Sequence, residues 1–133
     1  MKNLLFIPCY NDEKSLRKLL IEIGNLYQSS FDILIINDGS DQELYFSKKN
    51  KSLKIINLKN NYGIGFCLKF AIKYALKNNY KKFCRIDSDG EHHPKYIKDI
   101  FKMLDLNDFI LGDRKILFKQ SYFKIASKKM INL

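Results

Sequence analysis

The sequence predicts an α/β domain, with a mainly parallel sheet between helices on both faces, three layers in all. Three observations carry this reading. Short apolar runs alternate with amphipathic stretches of helical period along the whole chain. The first two hold four apolar residues in succession, at 4–7 and 33–36, as expected of strands buried on both faces. Each run also ends in a polar cluster rich in Asn, Asp and Gly, the residues that suit a turn at a strand end.

In order, residues 4–7 (Leu-Leu-Phe-Ile) read as a first buried strand. Asn11 then stands as an N-cap, and Asp12 and Glu13 favour a first helical turn. Leu16, Leu19, Leu20, Ile23 and Leu26 recur at helical spacing, which predicts an amphipathic helix over residues 12–28. Residues 31–36 form a second strand, closed by Asn37-Asp38-Gly39-Ser40-Asp41. A short polar helix is expected at 43–48 and a third strand at 53–58. The clearest helix follows Gly63 and Gly65, which read as helix-start glycines. Ile64, Leu68, Ala71, Ile72 and Ala75 face inward there, and Lys69, Lys73 and Lys77 face out. A fourth strand at 83–87, a helix at 95–104 opened by Pro94, and a fifth strand at 109–111 complete the pattern.

At 133 residues the chain is one domain with a single core. No apolar run reaches the ~18 residues of a membrane span. The apolar run at 4–7 is too short for a signal-peptide core, so the cytoplasm is the expected location. Cys9, Cys67 and Cys84 are odd in number, lack metal-ligand spacing and sit in apolar surroundings; buried thiols are expected and zinc is not. Net charge is +10, of which residues 114–133 supply +6 with no acid. A basic end calls for an anionic partner without choosing among nucleic acid, phospholipid and sugar nucleotide.

In a parallel sheet ligands bind beyond the carboxyl ends of the strands. The polar clusters at 8–12, 38–41, 60–65, 87–91 and 112–114 all follow strands, so they crowd one edge. The cluster Asp87-Ser88-Asp89-Gly90-Glu91-His92-His93-Pro94 holds two carboxylates spaced i, i+2. On an extended backbone these point the same way. Paired carboxylates suit a hard divalent cation, Mg²⁺ or Mn²⁺, that carries substrate phosphates. Ten Asp in the chain give such a pair by chance about 0.7 times, so its position at the crowded edge is what gives it weight.

These blocks together resemble family 2 glycosyltransferases of the GT-A fold. The nearer likeness is to the branch of polyprenyl-phosphate (dolichyl-phosphate) mannosyl- and glucosyltransferases. Residues 7–13 (Ile-Pro-Cys-Tyr-Asn-Asp-Glu) resemble I-P-x-Y-N-E-E, and residues 36–41 resemble V-D-D-G-S-x-D. Asn61, Gly63 and Gly65 resemble N-x-G-x-G. The acidic cluster resembles D-A-D-G-Q-H-x-P, and Gly112-Asp113-Arg114 resembles G-S-R. The resemblance implies a Rossmann-like nucleotide-diphosphate-sugar fold over residues 1–114, followed by a basic amphipathic segment at 115–133. It implies nucleotide and donor contacts from Pro8, Tyr10, Asp12, Asp38, Asp87 and Arg114. It also implies Mg²⁺ or Mn²⁺ at Asp87 and Asp89, with Glu91 as a third anionic ligand. His92 falls where a loop-bracing role is expected. The reaction implied is inverting transfer of a sugar to a lipid phosphate or glycan hydroxyl.

Departures bear on that reading. Asp12 stands for a Glu, Asn37 for the first Asp of D-D-G-S, and Glu91 for a Gln. The stretch that carries acceptor residues and the base in relatives would begin about where this chain stops, so no catalytic base is nominated. The competing reading is a nucleotide-sugar-binding subunit completed by a partner chain. No nucleic-acid partner is expected, because acidic residues occupy the predicted cleft. Residues 115–133 place Phe118, Tyr122, Phe123, Ile125, Ala126, Met130 and Leu133 on one side of a helical wheel. That pattern fits either peripheral contact with an anionic membrane at its inner face or packing of the apolar side on the sheet or on the missing half.

Overall fold

Four parallel strands form one sheet in the order β3-β2-β1-β4. The structure, a computed structural model, describes residues 2–27, 30–46 and 51–112. Along the chain run β1 (Asn3–Cys9), α1 (Glu13–Tyr27), β2 (Asp32–Asn37), β3 (Leu53–Asn57), α2 (Ile64–Lys77) and β4 (Lys82–Arg85). A 3₁₀ turn at Pro94–Tyr96 then leads into α3 (Ile97–Met103). Arg114 and the segment 115–133 lie outside the described residues.

The continuously apolar strands are the central ones. Phe6 of β1 is in register with Leu34 of β2 on one side and Arg85 of β4 on the other. Leu5 and Ile7, with Ile33 and Ile35, turn to the face covered by α1 and α3. Leu4 and Phe6, with Leu34 and Ile36, turn to the face covered by α2. Burying each such Leu, Ile or Phe contributes about 1.5–3 kcal/mol over leaving it exposed. The three expected layers are therefore present, with α1 and α3 on one side of the sheet and α2 on the other.

Several sequence expectations need correction. On α1 the inner stripe is Leu16, Leu19, Ile23 and Tyr27, while Leu26 is half exposed. On α2 the inner face is Cys67, Ala71 and Ala75, and both Ile64 and Ile72 are exposed. Small side chains at i, i+4 and i+8 let this helix lie close on Leu4 and Phe6, which rotates its isoleucines outward. Residues 43–46 are not helical. Leu44 N–H donates to Asn57 Oδ1 over 2.9 Å, and Leu44 C=O accepts from Asn57 Nδ2 over 3.2 Å. Both main-chain groups that a helix would use are therefore taken by one side chain; residues 47–48 lie outside the described residues. No fifth strand forms at 109–111, where Phe109 and Leu111 are 79% and 81% exposed, because no neighbouring strand among the described residues meets them. The fourth strand ends at Arg85, although Ile86 N–H still donates to Phe6 C=O over 3.1 Å.

Candidate functional site

From β1 the chain moves outward through β2 to β3, then returns to lay β4 on the opposite side of β1. The order reverses between β1 and β4, and at such a point the carboxyl ends of the strands open a crevice. Its walls are the loop after β1, holding Tyr10, Asn11 and Asp12, and the loop after β4, holding residues 86–93.

Hydrogen bonds tie four loops into one rim. Asn11 does not cap α1 as its position suggested. Its backbone takes a positive φ of 49°, and its N–H donates to Ser40 Oγ over 2.8 Å. Its Oδ1 accepts from Asp41 N–H over 2.9 Å. These bonds join the first loop to the second. Ser88 Oγ donates to Asp12 Oδ2 over 3.2 Å, joining the first loop to the fourth. Asp38, only 5% exposed, accepts from Tyr62 N–H and Gly63 N–H, each over 2.8 Å, and so holds the loop after β3. Gly39 makes that union possible. Its φ is +67°, and a Cβ there would lie 2.2 Å from the Asn60 carbonyl carbon.

The acidic turn is more internally bonded than its spacing suggested. Asp87 Oδ1 accepts from Arg85 Nη2 over 2.7 Å and from Arg85 Nε over 3.1 Å. Asp89 Oδ1 accepts from Glu91 N–H over 2.9 Å, a self-contained turn that Gly90 completes with φ +77°. The backbone bends at Ser88 and Asp89, so the extended geometry that would align the two carboxylates is not adopted. His92 Nδ1 accepts from Asp87 N–H over 3.4 Å, the bracing position expected of it. Behind the turn, Tyr27 O–H donates to Pro94 C=O over 2.7 Å and anchors the motif to α1.

Among the described residues no three His, Cys, Asp or Glu side chains gather as a group able to hold a metal. Asp87, Asp89 and Glu91 are thus not assembled as a three-residue ligand set. The donor chemistry still fits Mg²⁺ or Mn²⁺, since such ions are commonly held by one or two carboxylates while substrate phosphates and water fill the rest.

Pro8 is half-buried in β1 and Tyr10 is 53% exposed beside the crevice. Three thiols lie beneath the rim and the sheet, all buried. Burial, and secondarily Asp38, pushes Cys67 up to about 12. Burial pushes Cys84 up to about 11 and raises Cys9 as well. At neutral pH they are inert thiols, as their apolar setting suggested. Sequence reasoning missed Asn11, Ser40, Ser88 and Arg85 as partners that organise the rim. Ser88 carried one legible signal, a small polar residue between two aspartates after an apolar strand.

The sequence model of glycosyl transferase family 2 matches residues 5–131. An uncharacterized glycosyltransferase of Synechocystis sp. is 28% identical over 95% of this chain and 42% of its own length. A UDP-N-acetylglucosamine–dolichyl-phosphate N-acetylglucosaminyltransferase of Methanococcus voltae is 27% identical over 97% of this chain and 58% of its own. The chain therefore spans roughly half the length of these curated relatives. Among solved structures, S. aureus TarS (residues 1–349) superposes with a TM-score of 0.61 at 23% identity, covering 93% of this chain and 40% of that one. At that identity the likeness speaks for the fold alone.

Proposed function

The chain belongs to glycosyl transferase family 2, and on that footing we propose that it binds a nucleotide diphosphate sugar in the crevice between β1 and β4. The observation that carries this reading is the Ser88–Asp12 bond, which brings the acidic turn and the first loop together at the switch point. Asp12 offers a carboxylate to ribose or base N–H and O–H donors, and exposed Tyr10 offers a ring face. Asp38 acts first by fixing the Tyr62–Gly63 loop, and a carboxylate with two N–H donors bound keeps acceptor capacity toward the nucleotide. Pro8 shapes the floor beside Tyr10, and Arg114 is the guanidinium assigned to the donor phosphates. Asp87 and Asp89, with Glu91 alongside, would hold Mg²⁺ or Mn²⁺, which when bound neutralises charge on the leaving diphosphate.

Transfer to a lipid phosphate or glycan hydroxyl needs a base for the acceptor, and no residue of this chain is assigned that role. A second reading, a donor-binding unit completed by further residues or a partner chain, is favoured by one observation: the chain spans 42% and 58% of the two relatives above. The segment 115–133 is proposed to touch an anionic membrane at the cytoplasmic face when the acceptor is lipid-linked. Among the described residues no helix is long and apolar enough to cross a membrane. Calorimetric titration with UDP and GDP, with and without MnCl₂, tests the donor site. Metal-dependent binding of one nucleotide is expected, and absence of binding in every condition overturns the proposal.

A further inference from the structure

Residues 44–86 contain eleven Lys and Arg and no Asp or Glu. Helix α2 lies in the middle of this acid-free stretch, and its outer face carries the feature that the family reading does not use. Lys69, Lys73 and Lys77 stand at i, i+4 and i+8, all exposed. Like charges at this spacing repel and weaken a helix. Among the described residues no carboxylate pairs with any of the three, since the ion pairs present use Lys2, Arg17, Lys82, Arg85 and His92. Apolar side chains flank the row on both sides. Phe66 and Phe70 are 44% and 36% exposed on one, and Ile72 and Leu76 are 42% and 71% exposed on the other. Tyr62 stacks on Phe66 with ring centroids 4.7 Å apart, and its N–H is one of the two held by Asp38. The patch therefore runs from the rim of the crevice along the helix.

We propose that the outer face of α2 is a docking surface for an anionic phospholipid membrane. Charge complementarity selects the occupant. A second copy would set one lysine row against another, and the segment 115–133 is itself basic without an acid. Nucleic acid is poorly matched, because the face offers four apolar side chains and no arginine for bidentate phosphate contact. A headgroup layer matches both halves of the pattern. The lysine stems lie along the surface with their ammonium groups on lipid phosphate, and the flanking Phe, Ile and Leu enter the acyl boundary. This deepens the membrane part of the proposed function, stands apart from donor binding, and adds a second contact surface to that proposed for 115–133.

Flotation of the full 133-residue chain with vesicles tests it. Pure phosphatidylcholine is compared with a mixture containing phosphatidylglycerol, at low and high salt. The chain is expected to float only with phosphatidylglycerol and less as salt rises. Lys69→Glu/Lys73→Glu/Lys77→Glu should weaken binding about a hundredfold or more, since each basic residue near anionic lipid counts for about fivefold. Phe66→Ser/Phe70→Ser should weaken it as well, with unchanged circular dichroism in both variants. Neutralising the five lysines at 115–133 to Gln should leave flotation that the α2 variants abolish. Three results overturn the proposal: no flotation, flotation lost only in the 115–133 variant, or displacement from vesicles by duplex DNA at equal phosphate.

Discussion

Ser88 Oγ donates to Asp12 Oδ2 across 3.2 Å, joining two residues 76 positions apart at the point where the strand order reverses. Ser88 is 7% exposed, so the bond works in a partly dry setting. It fixes the acidic turn relative to the first loop before any ligand arrives. Ser88→Ala is expected to cost about 1 kcal/mol of stability and to weaken nucleotide binding several-fold. Urea denaturation and calorimetry on the same variant check both. Lost stability with unchanged nucleotide affinity would remove Asp12 from the donor site.

Arg85 already neutralises Asp87 through two donors at 2.7 and 3.1 Å. A metal at Asp87 has to compete with that guanidinium. Since the pair is partly exposed, its strength is modest, and Arg85→Ala is expected to tighten Mn²⁺ binding by up to about fivefold. Electron paramagnetic resonance titration of free Mn²⁺ reads this directly. Unchanged or weaker affinity would show that Asp87 is not a ligand.

Asn37 occupies the place of an aspartate in the family motif, yet its amide is used as an amide. Nδ2 donates to Gln42 C=O over 3.0 Å and to Asn57 Oδ1 over 2.9 Å, at 1% exposure. Asn37→Asp would turn a donor toward two oxygens into a third oxygen. Restoring the motif should therefore destabilise the fold by about 2 kcal/mol. A urea midpoint that does not fall would contradict this.

The buried thiols set an alkaline limit. Cys67 and Cys84 are raised from 9.0 to about 12 and about 11, chiefly by burial. A folded value above the unfolded one gives stability that is intact below pH 9 and lost as pH rises from 9 through about 12. The urea midpoint should fall across that window and stay level for these groups below it. At pH 8 a thiol reagent should label the native chain slowly and the urea-unfolded chain quickly. Fast labelling of the native chain would contradict the burial.

The layer architecture was legible because β1 and β2 are apolar at every central position, which only a strand covered on both faces requires. The inner face of α2 was misread for a physical reason. Isoleucine is the more hydrophobic choice, but Cys67, Ala71 and Ala75 permit the closer approach to Leu4 and Phe6. Residues 43–46 looked helical because sequence does not reveal that Asn57 takes both main-chain groups of Leu44. At the site, the aspartates were legible as loop residues after strands. Their partners were not, because Ser88–Asp12 and Asp38–Tyr62 depend on which strands become neighbours. Arg114 and the membrane pattern at 115–133 fall outside the described residues.

Paramagnetic broadening locates the donor site most directly. In a ¹⁵N-labelled chain titrated with trace Mn²⁺ and UDP or GDP, amides of Tyr10, Asp12, Ser88, Asp89 and Glu91 should broaden first. Those of Asp32, Ser52 and Tyr80, which line the opposite edge of the sheet, should stay sharp. Broadening centred on that opposite edge, or none at the crevice between β1 and β4, would contradict a nucleotide diphosphate site there.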